Sequence, residues 1–344
     1  MFVMIDGDNM KFNKFLILPG LLICSCGSNV PNDSNNSNNS NIPSDNNAPC
    51  NEEEHSFVFI EHVEPQSYER GYDLYRCSKC NVEEKRNYTG VIEEPKFDSS
   101  VQYKVLFVGN SQTYFNQIWN TFAEVCRKHS ISVVVDQVTS GGYYLRQFAD
   151  INNAYGKTLD DKLKNNKYDI VFLQENTLGG AIDPASFFTA TRILHKKIIE
   201  SGAQDVLFMP LQRKDDDADA KRYGLTQETI TQKSLANYDA IGEELGIPVS
   251  HAGVAALEII QNYADITIQL SDGHPNPAGT YLMSLVHFAT VFGVSPVGIE
   301  YKYFATSLGK QRVLELAAYN AVFGPSILKD EFKISSIGIG DNYD

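Results

Sequence analysis

The stretch Lys104-Val-Leu-Phe-Val-Gly-Asn-Ser111-Gln-Thr-Tyr114 changes character at Gly109. Residues 105–108 are an unbroken apolar run of strand length, the pattern of a parallel strand covered on both faces. From Phe115 onward Ile118, Trp119, Phe122, Val125 and Cys126 recur at helical spacing, with Cys126 on the apolar face as a buried thiol. Gly109 and Asn110 can take the tight path between strand and helix. Ser111 then stands at the carboxyl end of the strand beside a helix N-terminus, where open α/β sheets bind ligands. A serine there is a nucleophile if a base reaches it and amide donors surround it; the same place also suits a serine N-cap.

The chain from Val101 alternates apolar strands with amphipathic helices, which predicts an α/β fold: a three-layer α/β/α, doubly wound parallel sheet. Strands are expected over residues 131–137, 168–173, 205–209 and 248–251, with a helix over 227–245. The second strand runs into Thr139-Ser-Gly141-Gly142, two glycines that let backbone amides approach a ligand or simply turn tightly. The third ends in Gln174-Glu-Asn176-Thr, three amide or carboxyl side chains at one strand end. The charged loop 214–222 reads as solvated surface. His195 and His251, without acidic neighbours in sequence, read as structural.

Near the far end, Leu270-Ser-Asp272-Gly-His274-Pro-Asn-Pro277 puts a histidine on a proline-stiffened loop. The helix that follows carries Leu282, Leu285, Val286 and Ala289 as a core-facing stripe. A general base needs such constraint, because it must stay within hydrogen-bond reach of the nucleophile while an acceptor orients its other nitrogen.

With 29 Lys and Arg against 43 Asp and Glu, the 344-residue chain has a formal charge of -14, which argues against a nucleic-acid partner needing a basic face. At the amino end, Asp6 and Asp8 suit a targeting segment badly, whereas Met10-Lys-Phe-Asn-Lys14 followed by an apolar core too short to span a membrane reads as a signal peptide starting at Met10. Its end, Ile23-Cys-Ser-Cys26-Gly-Ser, resembles a bacterial lipobox, which implies lipidation at Cys26 and an exported, membrane-anchored protein, at the outer membrane or cell surface. Residues 27–49, rich in Asn, Ser, Asp and Pro, cannot bury a core and read as a disordered tether.

Residues 50–97 carry Cys50 and His55, then Gly71-Tyr-Asp-Leu-Tyr-Arg-Cys77-Ser-Lys-Cys80. Two thiolates on a Cys-x-x-Cys turn, with a second Cys/His pair, can complete a structural zinc tetrahedron. His62 could replace His55, and a disulfide is the competing reading in an exported protein. The segment is similar to small zinc-ribbon-like modules, departing from them where Pro65-Gln66 stands in place of a proline followed by cysteine.

Gly109-Asn-Ser111, the Gly141-Gly142 turn, Asn176 and Asp272-Gly-His274-Pro together resemble the four blocks of the SGNH, or GDSL-type, hydrolase superfamily, in that family's order, and within it a bacterial group with Gly-Asn-Ser in the first block. The resemblance spans residues 101–300 and implies a domain over 101–329, followed by a 330–344 tail. It implies a serine esterase with Ser111 as nucleophile, His274 as base, and an oxyanion hole from the Ser111 amide, Gly141 or Gly142, and Asn176. No catalytic cofactor is implied. The usual third block is Gly-x-Asn-Asp, so Gln174 is a rival donor. The usual fourth block is Asp-x-x-His, which would put the acid at Ser271; here Asp272 is one position closer, leaving a triad or a dyad. An exported enzyme of this kind is expected to act on a small acyl ester, such as acetyl, on a glycan. The alternative is a glycan-binding or scaffold module that keeps the fold without turnover.

Overall fold

The computed structural model describes residues 55–64, 71–89, 98–299 and 307–324. The expected signal peptide, Cys26, the tether, Cys50 and the 330–344 tail lie outside these residues. No helix among the described residues is long and apolar enough to cross a membrane.

The described strands form two separate sheets, one small and one at the centre of a larger unit. A small sheet is formed by β1 (Phe57–Val63), β2 (Gly71–Cys77) and β3 (Glu83–Thr89), in that order. Their connections are too short for a parallel crossover, so neighbours run antiparallel.

The larger unit is an α/β layered structure. Its strands are β4 (Gln102–Gly109), β5 (Ser132–Thr139), β6 (Ile170–Gln174), β7 (Gln204–Phe208) and β8 (Val249–Ser250), all parallel, in the order β5-β4-β6-β7-β8. Chain direction across the sheet reverses at β4, so the switch-point crevice opens between the carboxyl ends of β4 and β6. Ser111 follows β4 directly.

The unbroken apolar run in β4 has the two-faced cause its sequence suggests. Val105 and Phe107 pack with one buried cluster, including Phe122, Phe172, Phe208 and Leu282. Leu106 and Val108 join the other, with Phe148, Leu173, Leu194 and Ile241. Helices α2 (Ile118–Lys128), α9 (Ala252–Asn262), α10 (Pro277–Phe292) and α11 (Leu308–Phe323) feed the first layer. The second is fed by α3 (Leu145–Ala149), α4 (Ala154–Asn165), α6 (Pro184–Glu200) and α8 (Gln227–Leu245).

Three local expectations are corrected. The helix expected from Phe115 is broken: α1 (Ser111–Tyr114) gives way to a 3-10 turn at Phe115–Gln117, in which Asn116 and Gln117 both take φ 53° before α2 starts. Asn116 is held there by donating to Pro275 O at 2.8 Å and Thr280 Oγ1 at 3.0 Å, tertiary bonds that helical periodicity cannot reveal. The second strand continues past Gln137 to Thr139, registered on Gly109 of β4. The charged loop contains α7 (Ala218–Arg222), because Asp217 caps it by accepting from the Asp219 and Ala220 amides.

His287 on α10 is fully buried among Phe107, Phe172 and Phe208, with Nδ1 2.6 Å from Ser250 Oγ and Nε2 without a partner. Burial holds its pKa down at about 3, against an ordinary value of 6.5. Between those values the unfolded chain binds a proton that the folded chain refuses, so stability rises with pH across that window and is lost on acidification. We expect the unfolding free energy to fall by up to about 4 kcal/mol from neutral pH to pH ~3 through this group alone. Urea titrations at a series of pH values should show His287→Gln losing that part of the slope.

Candidate active site

At the end of β4 the backbone must turn without stranding its amides. Gln174, fully buried at the end of β6, meets that need: its Oε1 accepts the Asn110 N–H and the Thr113 hydroxyl, each at 2.8 Å. A Cβ on Gly109 would collide with both the Thr113 and Gln174 side chains, so this packing requires glycine. Asn110, not Ser111, is the N-cap of α1, its Oδ1 accepting the Gln112 amide at 3.0 Å. The serine hydroxyl is therefore not consumed by capping. Gln174, the rival oxyanion donor, gives an N–H to the Glu175 carbonyl and braces the turn through its oxygen.

The Gly141-Gly142 turn is stitched to the same place. Ser140 N donates to Gly109 O at 3.1 Å, and Asn110 Nδ2 donates to Tyr143 O at 2.9 Å. The Tyr114 hydroxyl lies 3.0 Å from where a Cβ on Gly141 would stand, and Gly142 takes φ 71°. Asn176 reaches this turn from the other side, its Nδ2 donating to Gly142 O at 3.1 Å.

Between Gln174 and Asn176 lies Glu175, a carboxyl only 1% exposed and absent from the sequence-derived site. Its Oε1 accepts the Asn176 amide at 2.7 Å and its Oε2 the Leu145 amide at 3.0 Å. Burial pushes its pKa up to about 7, against the lowering effect of those two amides and of Arg146. The sequence signal was there: an acid closing an apolar strand, with Gly179-Gly180 four residues on. A Cβ at Gly179 would strike the Glu175 carboxylate.

His274 comes from a hairpin-like loop in which Leu270 N donates to His274 O at 2.8 Å and Gln269 bridges to Pro275. Gly273 takes φ 85°, a left-handed turn that folds Asp272 back on His274. Asp272 Oδ1 accepts the His274 amide at 3.1 Å, and Oδ2 lies 3.1 Å from Nδ1, within ion-pair distance but off the axis of an aligned hydrogen bond. The His274 amide, then its ring, hold the Asp272 carboxyl below the usual range. Asp272, one position closer than the usual spacing, thus touches His274 through the glycine turn, although its side chain is 58% exposed.

The serine-bearing and histidine-bearing segments meet along a seam. Phe115 stacks on the His274 ring with centroids 4.3 Å apart, Gln112 Nε2 donates to Gly273 O at 3.3 Å, and Asn116 donates to Pro275 O. Gln269 Nε2 also donates to Gly273 O, at 2.9 Å, and Gln227 Nε2 donates to Gln269 Oε1 at 3.0 Å. Apart from the Gln269–Gly273 bond, these contacts were invisible in sequence because they cross more than 40 positions. His195 and His251 each find a remote partner instead: Asp205 at 3.0 Å and Asp239 at 2.6 Å.

In the small unit, the ligand atoms of His55, Cys77 and Cys80 lie within 4.8 Å of one another, with Cys80 Sγ 3.3 Å from His55 Nδ1. Cys77 and Cys80 are not joined to one another by a disulfide. The Cys77 sulfur accepts the Ser56 and Lys79 amides, each at 3.4 Å. Burial raises its pKa, but hydrogen bonds from His55 and from the Lys79, Ser56 and Cys80 amides bring it to about 5. His62 is turned elsewhere, its Nδ1 2.6 Å from Asp73.

No family model and no curated protein matches the chain. Among solved structures, a DUF4886 family protein from Bacteroides uniformis superposes with a TM-score of 0.57 at 15% identity, covering 65% of this chain and 95% of that one. A candidate SGNH hydrolase from Slackia heliotrinireducens gives a TM-score of 0.49 at 24% identity, covering 55% and 99%. Axe2, an acetylxylan esterase from Geobacillus stearothermophilus, gives 0.42 at 14% identity, covering 60% and 97%. The likeness to the Bacteroides uniformis protein is one of fold: the larger unit shares its α/β architecture.

Gln174→Leu should strand two donors, the Asn110 amide and the Thr113 hydroxyl, in the interior. We expect it to lower stability by about 3 kcal/mol, read as a fall in the urea midpoint at unchanged slope.

Proposed function

We propose that the larger unit is a serine ester hydrolase acting through Ser111 and His274. The observation that carries this reading is the seam between residues 112–116 and 273–275, which brings the Ser111 turn and the His274 loop together at the switch-point crevice. In the proposed reaction Ser111 Oγ attacks the ester carbonyl and His274 Nε2 takes its proton. The ring nitrogen beside Asp272 is Nδ1, which leaves Nε2 for this work. Amides of Ser111 and the Gly141-Gly142 turn, with Asn176 Nδ2, receive the oxyanion. Collapse of the intermediate expels the alcohol with a proton from His274, and water, deprotonated by the same nitrogen, releases the acyl-enzyme. This chemistry calls on no cofactor. The substrate class we assign is a small acyl ester, acetyl foremost, on a glycan, as suits a protein exported and lipid-anchored through Cys26.

Ser111→Ala should abolish hydrolysis of short acyl esters and labelling by a fluorophosphonate, whereas wild type is labelled. Silence of wild type with retained glycan binding would favour the non-catalytic module, the reading suggested by the irregular third and fourth blocks. Asp272 is solvent-facing, so Asp272→Ala should lower kcat by only about 10- to 100-fold, short of the ~10⁴-fold cost of disabling a buried triad acid.

For the small unit we propose a structural zinc held by His55, Cys77 and Cys80, with Cys50 as fourth ligand. Zinc bonds of about 2.0–2.3 Å put tetrahedral ligands roughly 3.5 Å apart; Cys80 Sγ and His55 Nδ1 stand 3.3 Å apart and all three donor atoms lie within 4.8 Å. A thiol already lowered in pKa suits such a ligand. Purified protein should contain about one zinc per chain, and Cys77→Ser should lose it; a metal-free wild type with a disulfide at Cys50 would end this proposal.

A further inference from the structure

We propose that Glu175 is a positioning residue for the oxyanion hole: its buried carboxylate locks the Gly141-Gly142 turn and Asn176 into one hydrogen-bonded ring. The inference rests on the hydrolase reading above and adds to it a residue that never touches substrate. The ring can be traced atom by atom. Glu175 Oε2 accepts the amide of Leu145, the first residue of α3. The chain runs back from there through Tyr144 and Tyr143 to Gly142, whose carbonyl accepts Asn176 Nδ2. The Asn176 backbone amide returns to Glu175 Oε1. Two further bonds fix the ring from outside: Glu175 N donates to the Tyr238 hydroxyl at 3.2 Å, and that hydroxyl donates to Phe208 O at 3.1 Å.

A carboxylate is suited to this place because each oxygen faces an N–H donor. An amide of the same shape would turn one donor toward another, and a carboxylic acid would offer one poorer acceptor with an added O–H, opening or weakening the ring at Leu145 or Asn176. With one bond open, the turn keeps its Ser140 and Asn110 ties but loses the brace that fixes its distance from the Asn176 side chain. Space for the charged group comes from Gly179 on α5 (Gly179–Ile182). The charged and titratable groups around it are Arg146 and Tyr144 from the α3 end, Asp183 at the start of α6 and Tyr238 of α8. Arg146 favours the ionised form and Asp183 opposes it. Burial brings the titration of Glu175 to about 7, so ring closure varies with pH in the range where a histidine base also works.

The test compares wild type, Glu175→Gln and Ser111→Ala with p-nitrophenyl acetate between roughly pH 5 and 9, a span on both sides of the Glu175 titration. At the alkaline end Glu175→Gln should have kcat lower by about tenfold or more with KM within about twofold, the pattern of lost transition-state contacts. The ratio of wild-type to variant kcat should shrink toward one as pH falls, because protonated Glu175 in wild type breaks the same ring. A ratio near one at high pH, or one independent of pH, overturns the proposal. Hydrogen exchange at the Leu145 and Asn176 amides gives a second reading in the wild-type chain itself. Both should be protected at pH ~8 and lose protection, relative to neighbouring buried amides, below pH ~6; equal protection at both pH values overturns the ring. Wild type no faster than Ser111→Ala would instead defeat the hydrolase reading while the exchange data still report whether the ring forms.

Discussion

The Gln174 carbonyl oxygen, shared between the Asn110 amide and the Thr113 hydroxyl, is the constraint from which the rest of the site follows. A strand that ends in a sharp turn leaves amides pointing into a dry interior, and an acceptor must be found for them there. Here the neighbouring strand supplies it from a side chain with no exposed surface. Asn110 is then free to cap α1 and, with its other end, to hold the Tyr143 carbonyl. One amide brace therefore sets the serine turn and, through Asn110, the glycine turn beside it.

The histidine loop is fixed on a different principle. It has no strand to lean on, so its backbone carbonyl at Gly273 is gripped by two glutamines, Gln112 from the serine side and Gln269 from the loop itself. Buried amide side chains suit this work because each can donate and accept without carrying a charge that would need desolvation. The aromatic face of Phe115 adds the contact that determines the plane of the imidazole. The α/β scaffold brings the segments near each other, and these side chains set the fine geometry.

Much of this was legible in the sequence. The apolar run 105–108 announced a strand buried on both faces, and the alternation of strand and helix announced the parallel sheet. Hydrophobic periodicity carries that information because burial on known faces is what it records. Ser111, Gly141, Gly142, Asn176, Asp272 and His274 were singled out by local pattern. What stayed hidden depends on pairings between distant positions. The left-handed Asn116 and Gln117 are dictated by Pro275 and Thr280, the Asp partner of His195 lies across the α6–β7 connection, and the role of Glu175 emerges only when Leu145 is beside it. The spacing of Asp272 from His274 looked defective in one dimension; the positive φ of Gly273 is what restores contact in three.

Placing a carboxylate and an imidazole in one tripeptide has a mechanical outcome. Asp272, Gly273 and His274 share a bridged loop, so a displacement of that loop carries both groups as a rigid passenger. The separation between the Ser111 turn and the imidazole can then change while the Asp272 carboxylate stays beside that imidazole. A change in the anchors of that loop would therefore move the Asp272 and His274 side chains together relative to the Ser111 turn.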